Sequence, residues 1–158
     1  MKKLIVFSLF ALLLTNIQAQ DIYDPSIDGM EQIKEAVAKA NKENKHVIVQ
    51  TGGMWCKYCI QLHDWIDNTL MVKNDIDKYY VYINLSVSNE NRNDEAMEFL
   101  RYPQRFGYPT LLVLNKQGDL IHTQEIYPFD SNGSYDEELF RKFLSNWNVM
   151  AVDPKKYQ

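Results

Sequence analysis

Amphipathic helical segments alternate with short β-branched runs along this chain, and that alternation restricts its fold more than any other feature. Residues 29–44 carry an apolar stripe at helical spacing, made of Met30, Ile33, Val37 and Ala40. The run at 46–50 is β-branched and ends at a Gly-Gly loop, as expected for a buried strand. Helices that alternate with buried strands predict a parallel sheet covered by helices.

The remaining pattern extends this order. It predicts a helix at 55–68, a connector of one or two helical turns at 72–78, strands at 79–87, 110–114 and 120–127, and a helix at 94–106 that Pro103 ends or kinks. The loop at 127–135 could border the active site or simply connect strand to helix, and we favour the connector. The final helix that follows has the core stripe Phe140, Phe143, Leu144 and Trp147. The turn at 115–119 makes the last two long strands antiparallel. We therefore expect an α/β fold with a mixed parallel and antiparallel central sheet and helices on both faces.

Length and charge limit the function classes. The chain has 158 residues, 46% of them hydrophobic, which suffices for one sizeable core. Its net charge is -4 and it has no long basic run, so we expect no nucleic-acid partner.

The N-terminus has the pattern of a signal peptide. Lys2 and Lys3 precede an apolar run at 4–14, and small residues lie near Ala19. A helix of that run would reach roughly 16 Å, about half of the hydrocarbon core of a bilayer. We predict a signal peptide at 1–19, a single domain at 20–158, no permanent membrane anchor and a periplasmic or secreted location.

Cys56 and Cys59 lie where a loop enters a helix. Unpaired backbone N–H groups and the helix dipole at that place favour a thiolate. The alternative is a structural disulfide, but a four-residue loop contributes only about 2 kcal/mol in the loop-entropy model, against about 3 kcal/mol for a fifteen-residue loop. The spacing therefore favours thiol exchange.

The motifs Trp55-Cys56-Lys57-Tyr58-Cys59 and Gly107-Tyr108-Pro109-Thr110 resemble those of the thioredoxin superfamily. The resemblance covers about 29–148 and implies the thioredoxin fold and a thiol-disulfide oxidoreductase that acts on protein disulfides without a cofactor. In that family the first cysteine attacks and the second resolves the mixed disulfide, which assigns these roles to Cys56 and Cys59.

The resemblance also implies residues that bind substrate. Pro109 would be a cis proline beside the disulfide, and the backbone of Tyr108 would pair with an extended substrate segment. Trp55, Lys57 and Tyr58 would border the bound substrate. The alternatives are core packing for Trp55, a solvated surface side chain for Lys57 and an ordinary strand-start proline for Pro109.

Position 50 departs from the family pattern. Common thioredoxins have a buried aspartate there that helps to move the proton of the resolving thiol, whereas this chain has Gln50. A neutral amide cannot take up a proton, so water or another group must deprotonate Cys59. His63 lies one turn past Cys59, and we interpret it as a partly exposed helix residue.

The direction of electron flow stays open between reductase, oxidase and isomerase. We favour a reductase, which would need a membrane thiol electron donor. One alternative function is binding or delivery of copper or zinc through Cys56, Cys59 and His63. Another is a non-catalytic module that binds a partner in the groove.

Overall fold

The computed structural model describes residues 21–158. Its α-helices are α1 Gly29–Glu43, α2 Lys57–Asn68, α3 Leu70–Tyr79, α4 Asp94–Phe99 and α5 Glu137–Trp147. Its strands are β1 His46–Gly52, β2 Tyr80–Ser86, β3 Thr110–Leu114, β4 Leu120–Glu125, β5 Asp130–Ser131 and β6 Ser134–Tyr135. Short 3₁₀ turns occupy Pro103–Phe106, Tyr127–Phe129 and Pro154–Tyr157.

The central sheet has the strand order β2-β1-β3-β4. β1 pairs in parallel with β2, while β1 with β3 and β3 with β4 are antiparallel. The mixed sheet expected from the sequence is thus confirmed. Because β1 is paired on both sides and all of its residues are buried, it forms the centre of the molecule.

Helices cover both faces of this sheet. On one face α1 contributes Ile33 and Ala40, and α4 contributes Met97, to a buried apolar cluster. On the other face α2, α3 and α5 pack together, as shown by the buried residues Leu62, Ile76, Phe140 and Leu144.

Side-chain caps fix where the helices begin. The carboxylate of Asp28 accepts the backbone N–H of Glu31 at 3.0 Å at the start of α1, and Asp136 accepts that of Leu139 at 2.9 Å at the start of α5. These bonds satisfy N–H groups that the helix itself leaves unpaired. α1 is closed by its C-cap residue Asn44, whose φ of 54° is left-handed.

Three elements differ from the sequence expectations. α3 has ten residues instead of one or two turns. The helix expected over 94–106 ends at Phe99, because Arg101 and Tyr102 take positive φ before Pro103, and a residue before proline is disfavoured in the helical region. The connector at 127–135 contains the β5–β6 hairpin.

The signal peptide expected at 1–19 lies outside the described residues. Within 21–158 no helix combines the length and the apolar character that a membrane span requires.

A buried histidine joins the start of β1 to the end of α5. His46 is only 3% exposed, and its Nδ1 lies 2.7 Å from the carbonyl oxygen of Trp147. Because that oxygen can only accept, Nδ1 carries the hydrogen and donates it. Burial lowers the pKa of His46, and the bond to Trp147 acts in the opposite direction with a smaller effect.

The lowered pKa of His46 predicts a loss of stability in mild acid. The unfolded chain binds a proton at this histidine in its ordinary range, about 6.5, whereas the folded chain binds it only at lower pH. The free energy of unfolding should therefore fall between about pH 7 and about pH 5, and fall less in His46→Asn. Urea unfolding at both pH values measures this. Equal losses in the variant and the parent protein would contradict the assignment.

Candidate active site

The two cysteines form a disulfide at the N-terminus of α2. The sulfur atoms are 2.06 Å apart and the Cα atoms 5.3 Å apart. Cys56 is the N-cap residue of α2, and Cys59 lies within its first turn. Cys56 keeps 5% of its surface exposed and Cys59 none, so Cys56 is the sulfur that an external thiol or disulfide reaches first.

The start of α2 stabilises negative charge on the Cys56 sulfur. The backbone N–H of Cys59 donates to Cys56 Sγ at 3.2 Å, and the positive end of the helix dipole lies at the same place. Both effects favour a thiolate after reduction. Lys57 is exposed to solvent, which screens its charge from the sulfur.

Gln50 lies fully buried beneath the disulfide. Its Nε2 donates to the backbone carbonyl of Cys59 at 3.0 Å and to the hydroxyl of Tyr23. Its Oε1 accepts the hydroxyl hydrogen of Tyr82. The amide orientation is determined by the Cys59 carbonyl, which can only accept, so the nitrogen must face it. The position that holds an acid in common thioredoxins thus holds a fully bonded neutral amide.

Glycine at position 52 permits a close approach between β1 and the disulfide. A Cβ atom there would lie 2.5 Å from Cys59 Sγ and 2.9 Å from the hydroxyl oxygen of Tyr23. Both distances are too short for a side chain, so the packing of the resolving sulfur against Tyr23 requires glycine.

Trp55 and Tyr108 form the surface beside the disulfide. Trp55 is 59% exposed, and its indole N–H donates to the carbonyl of Val87 at 2.7 Å. Its ring meets that of Tyr108 edge to face, with centroids 5.3 Å apart. Core packing is therefore excluded as the role of Trp55. The Tyr108–Pro109 peptide bond is cis, and Pro109 is buried.

Two clefts meet at Tyr108. One, of about 860 Å³, is lined by Tyr23, Trp55 and Tyr108 among others. The second, of about 670 Å³, is lined by Lys57, Tyr58, Tyr108 and Pro109 and extends to the β5–β6 hairpin.

The β5–β6 hairpin borders this second cleft. The hydroxyl of Tyr135 donates to the carbonyl of Tyr58 at 3.4 Å, which ties the hairpin to the first turn of α2. The interpretation of 127–135 as a plain connector is therefore wrong. The exposed Tyr58 lines this cleft together with the hairpin.

The arrangement does not support a metal site at Cys56, Cys59 and His63. In the part of the chain described, no three His, Cys, Asp or Glu side chains are placed to hold a metal ion. His63 is partly exposed, as expected, and its Nε2 lies 3.4 Å from the carboxylate of Asp67. Its Nδ1 faces the amide of Asn84 at 3.5 Å.

Sequence reasoning missed Tyr23 and Tyr82. Tyr23 lies in what reads as an irregular lead-in, and Tyr82 in a strand whose aromatic residues read as core. No local pattern links either residue to position 50, because the contacts span 27 and 32 residues of chain.

Comparisons with known proteins agree with this geometry. The model of a thioredoxin-like family matches residues 28–116, more than half of the chain. A disulphide isomerase from Xylella fastidiosa Temecula1 is 25% identical, with a TM-score of 0.66, over 78% of this chain and 94% of its own. No curated protein is significantly similar in sequence.

Two further solved structures share the fold at lower identity. The oxidised C-terminal domain of DsbD from Neisseria meningitidis is 17% identical with a TM-score of 0.53, over 75% of this chain and 96% of its own. A thioredoxin from Thermus thermophilus is 21% identical with a TM-score of 0.51, over 82% of this chain and 88% of its own. The thioredoxin fold expected from the sequence is thus confirmed.

The uncharged hydrogen bonds around Gln50 predict that an acid at position 50 destabilises this protein. In Gln50→Glu the carboxylate would face the Cys59 carbonyl without a hydrogen to donate, and burial would raise its pKa. A folded-state pKa above the unfolded one costs stability as pH rises. We expect a loss of about 3 kcal/mol at about pH 8 and less at about pH 5 in urea unfolding.

Gln50→Met is the matched control, since it removes the same hydrogen bonds without adding charge. It should lose stability equally at both pH values. A Gln50→Glu protein as stable as the parent at about pH 8 would contradict the assigned hydrogen bonds.

Proposed function

This chain belongs to the thioredoxin-like family, and we propose that, as a thiol-disulfide oxidoreductase, it reduces the disulfides of other exported proteins. The observation that carries the proposal is the Cys56–Cys59 disulfide at the N-terminus of α2, with Cys56 as the more exposed sulfur. That arrangement supplies one sulfur for attack from outside and a second, buried sulfur for the following internal attack.

The reaction proceeds in two exchanges. The Cys56 thiolate attacks one sulfur of the substrate disulfide, and the other substrate sulfur leaves with the electron pair and takes a proton. Cys59 then loses its proton and attacks Cys56 Sγ, which breaks the mixed disulfide and releases the second substrate thiol. The substrate gains two electrons, and the enzyme ends as the Cys56–Cys59 disulfide.

We assign substrate contacts to the surface around Cys56. The backbone at Tyr108, next to cis Pro109, would pair with an extended substrate segment. Trp55 and Tyr58 are exposed aromatic residues close in sequence to Cys56; Trp55 lines the first cleft and Tyr58 the second. Lys57 is exposed at the second cleft and would contact polar substrate groups.

The small number of groups that stabilise the Cys56 thiolate beyond the helix dipole supports the reducing direction. The potential depends on how strongly the reduced thiolate is stabilised relative to the disulfide. Cys56 Sγ accepts one backbone N–H, and the residues between the cysteines are an exposed lysine and an exposed tyrosine. Such an environment supports a low potential, typical of a reductant.

Isomerisation is the second candidate. The similar structure from Xylella fastidiosa is described as a disulphide isomerase. An isomerase uses the same Cys56 attack but releases the substrate by exchange within the substrate itself.

The proposal also includes export of the protein from the cytoplasm. A signal peptide at 1–19 and a single domain at 20–158 would place the protein in the periplasm or outside the cell. Because that compartment is oxidising, a membrane thiol electron donor would have to reduce Cys56–Cys59 again after each turnover.

Trapping of the mixed disulfide tests the function. Reduced Cys59→Ser should form a covalent complex with a disulfide-bonded protein such as insulin, visible on non-reducing gels, because the resolving sulfur is gone. The parent protein should release reduced insulin chains without accumulating a complex. Cys56→Ser is the control and should form at most a tenth of the complex, since only the buried sulfur remains.

Equal trapping by Cys56→Ser and Cys59→Ser would overturn the assigned roles. Failure of both variants and of the parent to react with insulin would refute action on protein disulfides.

A further inference from the structure

The hydrogen-bonded chain beneath the disulfide ends next to the resolving sulfur. Tyr23, Cys56 and Cys59 pack in one buried cluster, and Tyr23 is fully buried. Both Cys59 Sγ and the Tyr23 hydroxyl face the Cα of Gly52, where a Cβ atom would touch the two. Glycine therefore leaves no side chain between the sulfur and the hydroxyl.

The hydrogen bonds of this chain run in one direction. Tyr82 donates to Gln50 Oε1, and Gln50 Nε2 donates to the Tyr23 oxygen. Since the amide nitrogen can only donate in this arrangement, the Tyr23 hydroxyl accepts from Gln50 and keeps its own hydrogen for a further acceptor. Donation into the Tyr23 oxygen also strengthens its O–H as a donor.

We propose that Tyr23 donates a hydrogen bond to the Cys59 thiolate during resolution of the mixed disulfide, and so assists this step in a different way from the buried acid of common thioredoxins. This inference rests on the proposed function, because the Cys59 thiolate exists only in the reduced enzyme and its mixed disulfide. A buried thiolate without a partner is costly, and one charge-assisted hydrogen bond offsets part of that cost.

The tyrosine acts as a donor and not as a base. Burial raises the pKa of Tyr23, which outweighs the opposite effect of the bond from Gln50, so the hydroxyl stays protonated. The Cys59 proton passes to solvent, and the nearest cleft, of about 860 Å³, is lined by Tyr23. The thiolate electron pair then forms the Cys56–Cys59 bond, while the bond from Cys56 to substrate breaks and its pair leaves on the substrate sulfur.

Other titratable groups face the same region from each neighbouring element. They are Cys56 at the N-cap of α2, Tyr108 before β3, Tyr82 on β2, and Asp67 and Tyr135, whose charges act on Tyr82. Within residues 21–158, only the Tyr23 hydroxyl both receives the Gln50 hydrogen bond and lies, together with the Cys59 sulfur, against Gly52.

Reaction of the reduced protein with Ellman's reagent separates the two cysteines. Attack by Cys56 releases the first nitrothiobenzoate, and internal attack by Cys59 releases the second, so stopped-flow absorbance gives both rates. In Tyr23→Phe the first rate should be unchanged. The second should fall about tenfold near neutral pH, the lower end of what a hydrogen bond to a charged group contributes, with its pH midpoint displaced upward.

Tyr80→Phe is the matched control. Tyr80 is also buried, but its hydroxyl donates to the carbonyl of Leu144 at 2.6 Å, away from the cysteines. Both of its rates and its pH midpoint should equal those of the parent protein. An unchanged second rate and midpoint in Tyr23→Phe, or an equal change in Tyr80→Phe, would overturn the role of Tyr23. A parent protein that releases no nitrothiobenzoate would instead refute the proposed exchange activity.

Discussion

The structure depends on β1, the strand whose backbone pairs on both sides and whose residues are all buried. A polar side chain on such a strand must find its partners inside the protein. Gln50 finds them in Tyr23, Tyr82 and the carbonyl of Cys59, which links the lead-in, β2 and α2 to one amide. The same strand ends at Gly52, where absence of a side chain lets the resolving sulfur approach. Residues of β1 therefore both fill the centre of the sheet and contact the redox site.

Much of the fold follows from local pattern. The apolar stripes of α1 and α5 and the apolar run of β3 were sufficient to predict these elements. Each helix buries one continuous face, and β3 is buried throughout. α3 has only Val72 and Ile76 buried, too few positions to define its length. The β5–β6 hairpin has strands of two residues, below what periodicity detects, although Asn132 and Gly133 have the positive φ that a two-residue hairpin loop requires.

The site residues were predictable where they are close together in the sequence. They were not predictable where the fold brings distant segments together. The Cys56–Cys59 pair and its helix N-terminus were evident from spacing, and Gln50 was evident as a departure from the family. The neighbours of Gln50 were not, since Tyr23 and Tyr82 reach it from distant segments. The contact of Tyr58 with the hairpin, through the bond from Tyr135, is likewise tertiary.

The most direct test of the central claim is the equilibrium potential of the Cys56–Cys59 couple in glutathione buffers, with Cys59→Ser as a variant that cannot close the disulfide. A couple whose thiolate is stabilised by one backbone N–H and the helix dipole should lie near or below about -250 mV, in the range of thioredoxin-type reductants. A potential of about -120 to -180 mV would contradict the reducing direction and favour an oxidase or isomerase. A pair that does not exchange with glutathione would contradict the redox function itself.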